Sequence, residues 1–446
     1  MKRVTLVAVV LFVFVVFSGM VSARDAVEIT VRCIANVEGG EGWRCDNFAE
    51  VEDQVEADPG IEIEMTLVQD SPGWGDYKNE LVLASEANEA PDIILSGHED
   101  IGAWAPAGFI ISLEDKIGDY PEFEDVVETL WESHSWNGER WAIPQDAEAR
   151  PIFYSKLLLA DLGWSEVEIE SLPERVTAGE FTFADILATA EQAIAEGVVE
   201  EEKGYYHRPS NGFDFLTYYY GMGGEVMIAD GEIVFDTDAA LATYELMATL
   251  TSSGVTRPDM IGYDWGTMYD EVATAENVMF YKGSTWQWAG WALNQVAEQG
   301  GNDYLLENMG LMLFPAMDTG EALTLTHPLS YMISSQSENP DVAMALLAAI
   351  TTPEANNRHA IDSFHPGILT TQIDSEPYAS NKILSGAHYM LDFTTAAPNT
   401  PAWNAWSNAY WTGITAAHTG ESTPEEAVEL AVAQLTNELG DEVTIR

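Results

Sequence analysis

From Val27 to Ala35 apolar and polar residues alternate, which predicts a strand with one buried face. A Gly-rich loop follows, and Trp43 to Ala57 carries helical spacing. Asp58-Pro59-Gly60 reads as a turn, and Ile61 to Val68 alternates again as a strand. Asp76 to Ala87 places Tyr77, Leu81 and Ala84 on one helical face. Ile93-Ile94-Leu95 then form a short apolar strand, which surfaces into Gly97, His98, Glu99 and Asp100. Strands separated by helical stretches imply βαβ units and a mainly parallel sheet. In such sheets ligands bind beyond the carboxyl ends of the strands. The polar cluster at 98–100 sits at such an end.

Further along, Trp136-Asn137-Gly138-Glu139-Arg140-Trp141 has the Asn-Gly centre of a tight hairpin. Ile152-Phe153-Tyr154 reads as a strand entering a second sheet, and Asp185 to Glu196 as a helix. Phe235-Asp236-Thr237-Asp238 caps a helix from Ala239 to Leu250. Short strands are expected at Val278–Lys282 and Leu311–Phe314, and helices at Pro340–Ile350 and Thr423–Leu439. Ser422 and Thr423, followed by Glu425 and Glu426, offer a cap for the last of these. No internal repeat or low-complexity linker interrupts the chain. Two α/β lobes with more than one crossing between them fit this order.

The first 23 residues stand apart. Lys2 and Arg3 precede an apolar run from Val4 to Phe17, and Val21-Ser22-Ala23 offers a small-residue cleavage site. That describes a secretory signal peptide, so the mature chain is expected in the periplasm or outside the cell. No cysteine follows the run to carry a lipid. In an exported protein Cys33 and Cys45 read as one disulfide, the alternative being two separate buried thiols.

Charge narrows the partners. With 74 acidic against 18 basic residues, the net charge is −56. Nucleic acid and anionic membrane both require a positive surface, so neither is expected. The carboxylates are spread along the chain, which suits a surface working in concentrated salt; a cationic ligand is the alternative. No phosphate-binding G-x-x-x-x-G-K-[ST], no H-E-x-x-H and no G-x-S-x-G occurs. His98, Glu99 and Asp100 are consecutive, so their side chains diverge and no shared metal is expected. Nothing points to an enzyme, and no cofactor is expected.

Tryptophan in polar company carries the chemistry. "KGSTWQWAGW" holds Trp286, Trp288 and Trp291, and "PNTPAWNAWSNAYW" holds Trp403, Trp406 and Trp411. Sugars stack their C–H faces on aromatic rings, and their hydroxyls need paired donors and acceptors. Trp286, Trp288, Trp403 and Trp406 are ligand candidates, whereas Trp291 and Trp411 read as core.

In order and spacing, several segments resemble the extracellular solute-binding proteins of ABC importers, in the branch that includes maltose-binding protein. They are "APDIILSGHEDIGAWAPAGFIISLED", "GERWAIPQDAEARPIFYSKLLLADLGW", "GMGGEVMIADGEIVFDTDAALATYELM", "VMFYKGSTWQW", "NPDVAMALLAAITTPEANNRHA" and "TGESTPEEAVELAVAQL". The resemblance implies a two-lobed periplasmic-binding-protein fold of type II, each lobe a mainly parallel sheet flanked by helices, with a multi-strand hinge. It implies an N-terminal lobe of residues 24–147 plus 318–350 and a C-terminal lobe of 148–317 plus 351–446. The lobes would close on a carbohydrate, and a monomer would deliver it to membrane permease subunits.

The family's ligand-contacting loop after its third strand falls on His98, Glu99 and Asp100, with Asp100 acidic where the maltose-binding branch has a base. Its carboxylate in the first crossing falls on Glu148, with Asp146 and Arg150 alternating on the same face. Stacking aromatics fall on Trp286 and Phe213. The C-terminal aromatic position falls on Ser407, which passes that role to Trp403 or Trp406. Trp43 sits where the first loop touches ligand. Two rivals remain open. One is a binder of a charged solute, an anion paired by Arg150, His207 and Arg208 or a caged cationic amine. The other is a secreted glycan-active enzyme.

Overall fold

Strand Val27–Ile34 lies between its parallel neighbours Ile63–Asp70 and Ile93–Gly97. The molecule is described from a computed structural model that covers residues 26–446, apart from 38–39, 58–60, 229–230 and 318–319. The expected signal peptide and the 58–60 turn lie outside the described residues. Leu329–Ile333 and Ile143–Pro144 complete a five-stranded sheet, in the order 63–70, 27–34, 93–97, 329–333, 143–144. Period-two alternation divides its two faces. Ile93 and Leu95 enter one core with Phe48 and Val51 of helix Trp43–Ala57 and with Leu347 of helix Pro340–Ile350. Ile94 enters the opposite core with Tyr77 and Leu81 of helix Trp74–Ala87.

The second sheet runs Met309–Met312, Ile152–Ser155, Phe280–Lys282, Tyr205–Tyr206. It corrects the expectation of a mainly parallel sheet in each lobe. Two of its pairings are antiparallel and one is parallel. Ile152–Ser155 carries the chain into this lobe and Met309–Met312 carries it out beside the entry, so the two must run in opposite directions. The same return makes Leu329–Ile333 antiparallel to Ile93–Gly97 in the first sheet. Antiparallel neighbours need no crossover helix.

Residues 145–151 make the first passage between lobes and are buried throughout. Ala147 packs in the first lobe's core and Ala149 in the second's. The return passage bonds to it, because Thr326 Oγ1 accepts from Glu148 N at 3.2 Å and Thr324 Oγ1 from Arg150 N at 2.8 Å. The chain stays with the first lobe past residue 350, since Ala355, Ile368 and Leu369 lie in that lobe's core. Helices Trp403–His418 and Pro424–Leu439 then pack on Thr237–Ser252 in the second lobe.

Local signals set several boundaries. A Thr182/Asp185 capping box starts one helix at Phe183, two residues before its expected position, and Thr423 with Glu426 caps the last helix as expected. Asn137 (φ 54°) and Gly138 (φ 81°) form the expected hairpin with both central residues at positive φ. Cys33 and Cys45 are joined as a disulfide, tying the first strand to the first turn of the following helix.

Candidate binding cleft

At its carboxyl end the strand Ile93–Gly97 opens into a single turn, His98–Asp100. Gly97 leaves room there, because a Cβ would stand 2.2 Å from Glu99 Oε2. The Glu99 carboxylate can therefore fold back along the strand end. Lys78, from helix Trp74–Ala87, bonds both Glu99 Oε1 at 2.5 Å and Asp100 Oδ1 at 3.0 Å. His327, at the end of the return passage, donates from Nε2 to Glu99 Oε2 at 2.8 Å. Burial opposes charge on Glu99, but Lys78 and His327 outweigh it and hold the carboxyl well below its usual range. Burial and the adjacent Glu99 charge push Asp100 up.

The first passage supplies the next layer by alternation. Asp146 is fully buried and accepts from Leu329 N at 2.9 Å and from Arg44 Nη2 at 3.2 Å, with His359 at 3.3 Å. Burial opposes its charge, but His365, His359 and Arg44 keep it well below the carboxylate range. Arg150 Nη2 donates to Glu148, and Nη1 to Asp214 at 2.7 Å. Arg208 Nη1 bonds the same Asp214 oxygen at 2.6 Å. Burial brings the Lys282 ammonium beneath them down to about 7.

These groups surround a cleft of about 520 Å³ between the lobes. Asn36, Arg44, Trp74, Lys78 and Glu99 line it from the first lobe, and Glu148, Arg150, Arg208, Phe213 and Trp286 from the passage and the second lobe. An aromatic column flanks it. His327 stacks on Phe213 at 3.9 Å, Phe213 on Trp403 at 5.2 Å, and Trp403 on Trp406 at 6.0 Å.

Of the residues singled out in the sequence, Glu99, Glu148, Arg150, Arg208, Phe213 and Trp286 border this cleft. Trp403 borders a smaller adjoining crevice of about 230 Å³ with Glu99 and Phe213. The others are placed differently. His98 is wholly buried behind the wall, and Asp100 and Asp146 are tied up in ion pairs. Trp288 is a core residue whose indole N–H donates to Asn302 at 2.7 Å. Trp406 has no exposed surface and donates to Val234 O at 2.9 Å. Trp43 borders a separate surface groove, its N–H donating to Asp362 at 2.8 Å. Trp291 is core as expected, and Trp411 packs partly buried against Phe215.

Trp74, Lys78, Arg44 and His327 were not singled out. Trp74 had a signal, a Trp in an S-P-G-W-G turn after a strand, and it is 42% exposed. Lys78 had another, as one of 18 basic residues among 74 acidic ones. His327 had none, because its partner Glu99 is 228 positions away.

Residues 48–357 match the model of the bacterial extracellular solute-binding proteins, which is more than half of the chain. The chain belongs to that family. Its members bind solutes rather than transform them, so the enzyme reading falls away. Among relatives of this solute-binding protein, the diacetylchitobiose binding protein DasA of Streptomyces coelicolor is 23% identical over 281 residues. That stretch spans 62% of this chain and 57% of DasA. Among solved structures, the GacH receptor of Streptomyces glaucescens, known unliganded and with acarbose, superposes with a TM-score of 0.72 at 16% identity. It covers 94% of this chain and 100% of GacH. The cyclic α-maltosyl-1,6-maltose binding protein of Arthrobacter globiformis gives 0.72 at 19% identity, covering 93% and 100%. These likenesses establish the two-lobed fold. No described helix is long and apolar enough to cross a membrane.

Proposed function

We propose that this solute-binding protein captures a sugar or sugar derivative in the interlobe cleft and, as an exported monomer, hands it to the permease subunits of an ABC importer. We further take residues 24–147 with 318–350 as one lobe and 148–317 with 351–446 as the other, except that Ala355, Ile368 and Leu369 pack in the first lobe's core. The observation that carries the reading is the pairing of the cleft's charges before any ligand arrives. Glu99 is bonded to Lys78 and His327, Glu148 to Arg150, and Arg208 to Asp214. A phosphate or a cationic amine would meet charge that such a pair already offsets. A neutral polyhydroxyl ligand can add to the free lone pairs and N–H groups while stacking on Trp74, Phe213 or Trp286. Sugar ligands named for DasA and for the structural neighbours support the same reading.

The test is a thermal-shift screen over neutral sugars, polyols, amines and sugar phosphates, followed by small-angle scattering with the best stabiliser. A coherent series of neutral sugars should raise the melting temperature by mass action. The radius of gyration should fall as the lobes close. Stabilisation by amines or phosphates alone would sink the sugar reading.

A further inference from the structure

One group in the wall of the cleft has no role in sugar capture: Nε2 of His98. The His98 ring is fully buried, and its Nδ1 lies 3.2 Å from Asn399 Oδ1. The orientation of that amide is set independently, because Asn399 Nδ2 donates to the carbonyls of Ser133 at 2.7 Å and Ser135 at 2.9 Å. Asn399 therefore presents its oxygen, His98 Nδ1 carries the proton, and the lone pair sits on Nε2. That atom is buried and has no hydrogen-bond partner. Burying an acceptor unpaired is unfavourable, so a buried lone pair calls for something that accepts it.

The His327 ring is 5.4 Å away, and one donor atom each from His98, Glu99 and His327 lie within 4.8 Å of one another. Lys78 takes Glu99 Oε1 and leaves Oε2 to face His327. We propose that His98, Glu99 and His327 form a site for a divalent transition metal of the zinc or copper class, set in the cleft wall.

Two imidazole nitrogens and one carboxylate oxygen suit such ions rather than magnesium or calcium. The bond from His98 Nδ1 to a fixed carbonyl oxygen is the outer-shell contact that aims a ligating histidine. On binding, the His327 proton moves by way of solvent from Nε2 to Nδ1, so that the neutral ring offers its Nε2 lone pair to the metal in place of its bond to Glu99. Three protein ligands leave a fourth position for water or for a hydroxyl of the bound solute. The second histidine–carboxylate cluster, Asp146 with His359 and His365, is less suited. There Arg44 abuts the same Asp146 oxygen that faces both histidines, and Leu329 N takes the other.

The inference goes beyond sugar capture and is tested without sugar. Chelator-stripped protein is titrated with Zn²⁺ by calorimetry, in about 1 M NaCl with excess Mg²⁺ to suppress binding to surface carboxylates, where the Debye length is roughly 3 Å. Co²⁺ absorption reports the ligand set. One Zn²⁺ should bind per chain, and His98→Gln and His327→Gln should each weaken it at least about tenfold. His327 borders the cleft, so His327→Gln keeps the test alive if His98→Gln fails to fold. Three results would overturn the assignment. They are no saturable Zn²⁺ binding, wild-type affinity in both variants, or binding lost in His359→Gln and kept in His98→Gln.

Discussion

Asn399 accepts a hydrogen bond from His98 across 301 positions of chain, and a glycine makes the approach possible. A Cβ on Gly102 would stand 2.2 Å from the backbone nitrogen of Thr400. The 399–400 segment can therefore lie directly on the helix that follows His98. Replacing Asn399 with Ala leaves His98 Nδ1 and the carbonyls of Ser133 and Ser135 without their partner. Each buried group left unsatisfied costs about 1–3 kcal/mol. Urea unfolding of Asn399→Ala should show a loss in that range or above, and Gly102→Ala should lose at least as much. Wild-type stability in both would mean that this contact does not form.

Two neighbouring tryptophans should behave oppositely. Trp286 borders the cleft, whereas Trp288 is wholly buried. Once a ligand is known, Trp286→Ala should weaken binding by about 2–4 kcal/mol in calorimetry and leave the melting temperature nearly unchanged. Trp288→Ala should cost about 3–5 kcal/mol of stability. Glu148→Gln should reduce affinity by about 1–3 kcal/mol. Full affinity in both Trp286→Ala and Glu148→Gln would move the ligand elsewhere.

Acid should destabilise the protein before ordinary carboxylates titrate. Burial brings His134 down to about 4, and burial with His418 nearby brings His207 down to about 3. In the unfolded chain a histidine titrates near 6.5. Between these values the unfolded state binds protons that the folded state refuses, so stability rises with pH across that window and falls as pH drops below about 6.5. Each such histidine costs roughly 2 kcal/mol by about pH 5. Asp146 and Asp214, both held low, contribute stability that is present above about pH 3.9 and lost on further acidification. Denaturation midpoints measured from about pH 7 to 4 should decline from the start of that range. A plateau down to about pH 5 would contradict the neutral buried histidines.

Salt should stabilise the fold. A net charge of −56 repels itself, and the Debye length shrinks from about 10 Å at 0.1 M to roughly 3 Å at 1 M. The melting temperature should climb with NaCl over that range. A flat or falling curve would show that the carboxylates are already offset locally.

Alternation and helical spacing along the chain placed a strand at 27–35 and helices at 43–57 and 340–350, because each of these buries one face against a neighbouring layer. An unbroken apolar run marked the strand at 93–95, which is buried on both faces. Element order pointed to two lobes, and the family resemblance put Glu148 in the first passage, where alternation set Asp146 and Arg150 on the same face. Other features needed the folded chain. Composition and spacing could not tell Trp286 from Trp288, since both lie in one polar-flanked run; the family resemblance favoured Trp286, and packing against Phe153 makes Trp288 core. Nor could it join His98 to Asn399 and Glu99 to His327, which are brought together by passages crossing between lobes. The direction of the second sheet was hidden for the same reason: entry and exit of a lobe are neighbours in space but not in sequence. Periodicity reports which face of an element is buried, and only tertiary packing decides what that face meets.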